Sequence, residues 1–416
     1  MIALLRSNRN LRLLYLAQNI SYLGDWFAFV ALTGLVQDAT GSKLLVSMLL
    51  VAFSLPAFVL SPAAGAAADK FDRKRIVVIV SLGQTVAALA LLGAASGRIW
   101  IAFAAQAVVS GLGAFVRPAI EAAVPNLARD EEELSKANAL FGSSWGVMLA
   151  VGASIGGLFS VAFGRQAAFV ADGATFVVAA GLVYLVKDAM QQDRGDATKG
   201  RIRPMADMHE ALIYARRDPV LLALMASKAT FAVGAGVVSQ LAVLASDVFR
   251  GGDGARGALI GARGVGAAFG PILASRFVGK DVGRLLLVCG VSGCGFAACY
   301  GLAAWSPTII VAAVFIALAH LGGGAQWTLS TYGLQLRSDD AIRGRILAGD
   351  FALVTLTLAV SSAAAGLVSQ AVGVRWAITI FAIAAGLSGS VYLFITQGLR
   401  RDLSLVEAYP SLESTP

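Results

Sequence analysis

Charged residues are scarce in this sequence. They make up 14% of its 416 residues, whereas an ordinary soluble domain carries about 25%. A chain of this length with so little charge cannot build the water-facing surface that a soluble globule needs. The scarcity therefore excludes a soluble enzyme, a nucleic-acid-binding protein and a disordered chain, although a net charge of +8 would by itself suggest a nucleic-acid partner.

Residues that hold metals or form disulfides are also few. Cys289, Cys294 and Cys299 are the three cysteines, and a spacing of five residues rotates successive thiols by about 140° around a helix. We therefore expect three buried, unreactive cysteines and no metal site. With two histidines, His209 and His320, the sequence offers no catalytic constellation, and we expect no enzyme. His320 is interpreted as a hydrogen-bonded histidine within a helix, and a proton-relay role is the alternative.

Long apolar segments, by contrast, are abundant in this sequence. Hydrophobic residues account for 57% of the chain, and the mean hydropathy is +0.75. About twelve runs reach the 20 or so mainly apolar residues that a helix needs to cross a bilayer core. They lie near residues 12–36, 44–67, 76–96, 100–121, 138–162, 166–186, 220–245, 257–278, 284–304, 308–333, 346–371 and 376–397. The expected fold is an all-α membrane protein with twelve transmembrane helices.

Lys and Arg residues cluster in the segments between alternate apolar runs. Arg6, Arg9 and Arg12 precede the first run, and the basic segment Lys70–Arg75 follows the second. Positive residues concentrate on the cytoplasmic side of membrane proteins. We therefore expect a multi-pass protein of the inner or plasma membrane with both termini in the cytoplasm. The first run is too long for a signal peptide and is interpreted as an uncleaved helix.

A polar, charged segment divides the apolar runs into two equal sets. We assign residues 1–186 to an N-terminal six-helix half, 187–218 to a cytoplasmic linker, 219–398 to a C-terminal six-helix half and 399–416 to a cytoplasmic tail. Within the linker, the stretch from Met208 to Arg217 is expected to form a helix on the membrane surface. Two six-helix halves joined in this way are typical of secondary transporters.

The segment between the second and third runs carries the strongest motif. Its residues Gly65, Asp69, Lys70, Arg73, Lys74 and Arg75 resemble the loop signature of the major facilitator superfamily, G-x-x-x-D-R/K-x-G-R-R/K, with Asp72 at the usual glycine position. We expect Gly65 to allow a close helix approach and Asp69 to cap a partner helix near Arg345. Arg73 is expected to pair with Glu121, which completes an inner gate. The alternative is that the basic run only anchors the cytoplasmic side.

Glycines in the fifth run form a second motif. Gly152, Gly156 and Gly157, preceded by Gly146, resemble the antiporter motif G-P-x-x-G-G of drug exporters in the same superfamily, with Ala153 at the proline position. Gly152 and Gly156 also form a small-xxx-small pair, which permits tight packing between membrane helices. A packing role alone is therefore the alternative to an exporter motif.

Short matches along nearly the whole chain resemble one branch of this superfamily, the enterobactin-exporter and macrolide-efflux-like group. They are Leu23–Trp26, Arg117–Ala119, Val124–Pro125, Ala137–Ala139, His209–Leu212, Asp218–Pro219, Arg263–Gly266 and Arg343–Arg345. The resemblance implies an exporter of bulky small molecules that is driven by a proton gradient. The sequence has no G-x-x-x-x-G-K-[ST] motif for ATP, which agrees with an ion gradient as the energy source.

Ionisable side chains within membrane spans are costly and are functional candidates by default. Gln18, Tyr22 and Asp25 share one face of the first helix, and Asp25 lies about 13 residues, or 20 Å, into it. Asp172 lies in the sixth run. Alternating exposure can move the pKa of a carboxyl group across ambient pH. We therefore expect Asp25 first, and Asp172 second, to bind the coupling proton.

Cations within the runs complete this short list. We assign Arg117, Lys228 and Arg263 to a substrate cavity, together with Gln18, Tyr22, Asp25 and Gln326. Lys228 and Arg263 would suit an anionic cargo. The alternative for the cations is structural: Arg117 stands one turn before Glu121 and can pair with it locally, and the others can be cross-helix partners of Asp25 or Asp172.

These features predict a secondary active transporter that works by alternating access. Specifically, we expect a proton-coupled exporter of a drug, a macrolide-like compound or a siderophore. Its partners would be that small molecule, protons and the lipid bilayer, with no nucleic acid, no metal and no cofactor beyond the proton gradient, and we expect a monomer. A proton-coupled importer of a nutrient and a non-transporting membrane receptor are the alternatives.

Overall fold

The computed structural model describes residues 2–191, 213–278, 281–338 and 340–408, and all regular secondary structure within these ranges is helical. The α-helices are α1 Ile2–Ser7, α2 Arg9–Thr40, α3 Lys43–Lys70, α4 Arg73–Ala95, α5 Trp100–Leu127, α6 Glu131–Phe163, α7 Arg165–Tyr184, α8 Pro219–Gly234, α9 Leu241–Val243, α10 Asp253–Val278, α11 Val282–Ala304, α12 Ile309–Arg337, α13 Asp340–Val372, α14 Val374–Ile395 and α15 Gln397–Ala408. The all-α fold is thus as predicted.

The structure confirms the predicted number of membrane spans. The described residues contain 12 helical segments long and apolar enough to cross a membrane, and these lie in α2 to α7, the segment Pro219–Val248 and α10 to α14. Several of them extend beyond the apolar runs because polar residues cap their ends. Asn8 accepts a hydrogen bond from the backbone N–H of Leu11 at the start of α2, and Gly41, with a left-handed φ of 61°, ends that helix.

Aspartates begin several of the membrane helices. Asp72 is the N-cap of α4, where its Oδ1 accepts a hydrogen bond of 2.8 Å from the backbone N–H of Arg75. Asp130, Asp218 and Asp281 cap α6, α8 and α11 in the same manner. Asp72 stands where the superfamily signature has glycine, and its capping bond gives this departure a local structural role.

The seventh membrane segment is not a continuous α-helix, although the sequence predicts a single span at 220–245. After α8 the chain winds as a 3₁₀-helix over Ala235–Gln240, and later as a π-helix over Leu244–Val248. At Gly236 a Cβ atom would lie 2.4 Å from the main-chain oxygen of Ser361. The Ser361 hydroxyl accepts a bond from the Gly236 N–H (2.9 Å) and donates to the carbonyl of Val233 (2.6 Å). It thereby satisfies backbone groups that irregular winding would leave unpaired.

The helices form two compact units. Unit 1 contains α1 to α7 together with Leu241–Gly264, and unit 2 contains α8, the 3₁₀-helix and the helices that follow Gly264. The sequence division places 241–264 with the second half, whereas these residues pack with the first six spans. The reason is a glycine contact: a Cβ atom at Gly157 of α6 would lie 3.0 Å from the Cα of Gly257 in α10. Helices without side chains at the contact approach at backbone distance.

Each unit has its own apolar core. In unit 1 the core includes Leu11, Leu14 and Ile120, and in unit 2 it includes Leu221 and Leu286. The unit 2 core also takes in Cys289, which is buried, but Cys294 and Cys299 are only half-buried. The expectation of three buried cysteines is therefore wrong, because a five-residue spacing turns the other two thiols away from the face that packs inward.

Part of the predicted linker and tail lies outside the described residues. This applies to His209 and to residues 208–212 of the predicted surface helix, whereas residues 213–217 are helical. The tail is described as far as residue 408, within α15.

Candidate functional site

The two carboxyl groups predicted to bind protons lie on adjacent helices of unit 1. Asp25 of α2 is half-buried, and Asp172 of α7 is 2% exposed. The helices touch at Gly24, where a Cβ atom would lie 2.6 Å from Asp172 Oδ1 and 2.1 Å from Thr175 Oγ1. This approach brings the Asp172 carboxyl group within electrostatic range of Asp25. Asp172 Oδ1 is buried and accepts no hydrogen bond from the described residues.

A second polar group lies next to this pair, on α2 and α5. Arg117 Nε donates to Glu121 Oε1 at 2.8 Å, and more than half of each side chain is exposed. The Tyr22 hydroxyl is within electrostatic range of Arg117, Glu121 and Asp25. Gln18 of the same α2 face reaches toward α6, where its Nε2 donates to a main-chain oxygen. The polar face predicted on α2 is therefore continuous with an exposed ion pair on α5.

The expected pair between Arg73 and Glu121 is not formed. Glu121 bonds Arg117 on its own helix, one turn away. Arg73 is 2% exposed and donates to the main-chain oxygens of Ala68 (3.1 Å), Ala122 (2.7 Å) and Met190 (3.2 Å). It thus connects the end of α3 to α5 and to the chain after α7.

The other residues of the predicted inner gate match the expected arrangement only in part. A Cβ atom at Gly65 would have nothing within 4 Å, so the close approach expected there is not seen among the described residues. The side chain of Asp69 lies outside the described residues. Lys74 Nζ donates to the carbonyl of Val186 at 2.8 Å, which adds a second tie between the loop and the end of α7.

The glycines of the fifth span contact two different helices. A Cβ atom at Gly152 would lie 3.0 Å from Trp26 Cβ, and one at Gly156 would lie 2.7 Å from Phe27 Cα, both on α2. Gly157 faces α10 instead, where a Cβ atom would lie 2.5 Å from the main-chain oxygen of Asp253. The motif therefore holds α6 closely between α2 and α10.

The remaining predicted cavity residues are divided between the two units. Arg263 stacks on Trp145 within unit 1, with its guanidinium carbon 5.4 Å from the ring centroid. In unit 2, Lys228 is buried and forms an ion pair with Asp350. Gln326, 1% exposed, donates from Nε2 to a main-chain oxygen of α8. Lys228 is therefore a cross-helix partner, but of Asp350 and not of Asp25 or Asp172.

Sequence reasoning did not identify an ionic cluster in unit 1. Arg165 donates to Asp38 (2.5 Å) and Asp253 (2.7 Å), and Arg256 donates to the same two aspartates at 2.9 Å and 2.5 Å. Arg256 and Asp253 are buried. These residues come from the ends of α2, α7 and α10, and a Cβ atom at Gly34 would strike them. The one local signal is the i, i+3 spacing of Asp253 and Arg256.

Two further features bear on the chemistry of the chain. His320 is buried and its Nε2 is 2.9 Å from the Tyr300 hydroxyl, as expected of a hydrogen-bonded helix histidine. Among the described residues no group of three or more His, Cys, Asp or Glu side chains is placed to hold a metal ion.

Comparison with known proteins gives one family and several relatives. The family described as transmembrane secretion effector matches residues 2–407. The MFS-type transporter YfiS of Bacillus subtilis (strain 168) is 28% identical over 224 residues, which are 53% of this chain and 52% of YfiS. The putative bacilysin exporter BacE of Bacillus amyloliquefaciens is 24% identical over 364 residues, 87% of this chain and 90% of BacE. The multidrug efflux pump Tap of Mycolicibacterium fortuitum is 34% identical over 148 residues, 34% of this chain and 36% of Tap.

A solved structure shares the fold over almost the whole chain. It is the bacterial homolog of the human lysosomal transporter Spinster, in an inward-facing and unoccupied conformation. The TM-score is 0.73, and the match covers 94% of this chain and 97% of the other at 15% sequence identity. At this identity the likeness concerns the fold.

Proposed function

Because this chain belongs to the transmembrane secretion effector family of the major facilitator superfamily, and is a membrane transporter rather than an enzyme, we propose that it exports a small molecule in exchange for protons. The relatives BacE and Tap carry the names of an exporter and an efflux pump, which supports export over import. We further propose a monomer in the plasma membrane with both termini in the cytoplasm, as the distribution of Lys and Arg favours.

The carboxyl pair Asp25–Asp172 carries the proposal of proton coupling. A proton-driven carrier needs an acidic group that binds H⁺ from one side of the membrane and releases it to the other. Asp172 offers a buried carboxyl oxygen that accepts no hydrogen bond from the described residues, because the adjacent Thr175 hydroxyl donates to the main-chain oxygen of Asp172. Asp25 lies close enough for its charge to act on Asp172. Protonation of either group removes one of two like charges on adjacent helices. Proton binding is therefore linked to the packing of α2 against α7.

The exposed ion pair Arg117–Glu121, with Tyr22 beside it, is the proposed cargo surface of unit 1. It combines a cation, an anion and an aromatic hydroxyl on neighbouring helices, which suits a bulky molecule with several polar groups. Resemblance to the enterobactin-exporter and macrolide-efflux-like branch favours a drug, a macrolide-like compound or a siderophore as cargo. Such activity would contribute to drug resistance or to siderophore export.

Transport by inside-out membrane vesicles tests this function. Vesicles that contain the protein should accumulate ethidium or a macrolide when their lumen is made acidic, so that protons leave as the cargo enters, and the lumen should become more alkaline on addition of the cargo. Asp25→Asn and Asp172→Asn should each lower proton-driven transport by at least about tenfold. Glu132→Gln, which removes an exposed carboxylate from the surface pair with Lys136, is the matched control and should transport normally.

Three results would count against the proposal. Accumulation by right-side-out vesicles instead would indicate an importer. The absence of transport for a broad panel of drugs and siderophores, with binding retained, would indicate a receptor. Normal proton-linked transport by both Asn variants would move the coupling site elsewhere in the chain.

A further inference from the structure

A buried ion pair joins α8 and α13 within unit 2. The side chains of Lys228 and Asp350 are 4% and 3% exposed, and Lys228 Nζ donates to Asp350 Oδ2. Both residues lie in segments long and apolar enough to span a membrane. A buried ion pair seldom stabilises a protein more than packed apolar residues would, and ionisable groups at membrane depth mark functional sites. The pair therefore needs a reason beyond stability.

Lys228 is also held by groups other than Asp350. Its Nζ donates to Thr331 Oγ1 at 2.7 Å, and it lies 5.3 Å from the ring centroid of Trp327. The Thr331 hydroxyl donates its own proton to the carbonyl of Trp327, so its oxygen is oriented to accept from the ammonium group. Thr331 and Trp327 both belong to α12. Lys228 can therefore stay charged and attached to α12 when Asp350 loses its charge.

Asp350 has an unused acceptor. Its Oδ1 is buried and accepts no hydrogen bond from the described residues. Among the described residues, the charged group that acts on it is Lys228. The nearby titratable groups are Cys289 of α11, which lies near Lys228, and Tyr392 of α14, which lies near Cys289 and Arg400. A single free oxygen beside an ammonium group suits a proton and not a metal cation, which needs several oxygen ligands and would be repelled.

We propose that Asp350 is a second proton-binding site and that its protonation opens the Lys228–Asp350 pair. A proton from water forms an O–H bond with the carboxylate, and Lys228 keeps its charge and its bonds to α12. The ionic contact of α13 with Lys228 is then lost, while other contacts such as Ser361 with Val233 remain, so proton binding changes how these helices are held. The role in transport rests on the proposed proton-coupled function, but proton binding by Asp350 does not.

Infrared difference spectroscopy of the purified protein tests proton binding without any cargo. Between about pH 5 and about pH 8, the wild type should show a carbonyl stretching band of a protonated carboxylic acid that disappears in Asp350→Asn. The band should persist in Asp218→Asn, which removes an exposed ion pair with Arg337 between α8 and α12 but keeps an N-capping side chain. A spectrum without an Asp350-dependent band, or a band that requires sodium, would overturn the proposal.

Transport measurements separate a coupling role from a structural one. The double variant Lys228→Met with Asp350→Leu replaces the pair by apolar residues, so it should fold and melt close to the wild type. We expect its proton-driven ethidium transport to fall at least about tenfold while its ethidium binding is unchanged. Full transport by the double variant would show that the pair only holds helices together. A wild type that has the infrared band but transports nothing would contradict the proposed function and leave Asp350 as a proton site.

Discussion

Asp172 Oδ1 occupies the space that a side chain at Gly24 would need, since a Cβ atom there would lie 2.6 Å from that oxygen. The absence of a side chain at Gly24 therefore allows α2 to contact α7 closely. It also allows the two proposed proton sites to lie near each other. The glycine lies directly before Asp25 in the chain, so a change in helix packing at this point changes the separation of the two carboxyl groups.

Replacement of Gly24 by alanine should therefore affect stability and coupling together. The added methyl group overlaps Thr175 Oγ1 and Asp172 Oδ1, and overpacking of this kind costs about 1–3 kcal/mol. We expect a lower melting temperature and weaker proton-driven transport for Gly24→Ala. Gly181→Ala on α7, where a Cβ atom would have nothing within 4 Å, should behave as the wild type. Equal melting temperatures for both variants would contradict the contact.

Loss of one cation from the ionic cluster of unit 1 should destabilise the protein strongly. Arg256→Gln leaves the buried carboxylate of Asp253 with one arginine fewer, and removal of a buried partner costs about 3–5 kcal/mol. Arg337→Gln, which breaks the exposed pair with Asp218, should cost no more than about 1 kcal/mol. Unfolding of both variants in mixed micelles measures the difference. A cost for Arg256→Gln as small as that for Arg337→Gln would contradict the burial of the cluster.

Substitutions at Arg73 and Arg75 test whether the basic segment acts through specific hydrogen bonds or only through its positive charge. Arg73→Lys keeps the charge but cannot reach three carbonyl oxygens in the same geometry, and each charged hydrogen bond contributes about 1.5–3 kcal/mol. We expect a lower melting temperature and reduced transport, with unchanged topology. Arg75→Lys, at an exposed position, should change neither property. If both variants behave as the wild type, then the basic run acts only through its charge.

The ion pair Arg117–Glu121 should influence the charge preference of the cargo. Glu121→Gln removes the carboxylate that pairs with Arg117, and the added net positive charge should lower transport of the cation ethidium several-fold while it favours the anionic dye calcein. Arg117→Gln should have the reverse effect. Initial rates for both dyes in inside-out vesicles measure the ratio. An equal ratio in the two variants would place the cargo surface elsewhere.

The sequence predicts the twelve spans well because each is a local property of composition. The break after α8 was not predicted, because Gly236 and Ser361 meet through tertiary packing and no residue of the segment forbids a regular helix. The extra length of α2 depends on Asn8 and Gly41, which lie outside the apolar run that identifies the span.

The candidate site was predictable in part. Asp25 and Asp172 attract attention because acidic residues within apolar runs are rare, but their proximity depends on the packing at Gly24. Sequence spacing placed Glu121 near Arg117, which it pairs with, and the proposed longer-range pairing with Arg73 was wrong. The cluster of Asp38, Arg165, Asp253 and Arg256 escaped prediction because charges at the ends of spans are ordinary and give no sign of being buried together.

The glycines of α6 imply that mutational tolerance is distributed unevenly around this helix. On the sides that face α2 and α10, Gly156 and Gly157 leave no volume for a side-chain carbon atom, and Gly152 leaves very little. Val151 and Ile155, each partly exposed, point to another side, where apolar side chains of many shapes should serve. We therefore expect a library of α6 variants selected for export to retain glycine at these three positions and to accept varied apolar residues beside them. The pattern of retained glycines would then identify the sides of α6 that contact α2 and α10.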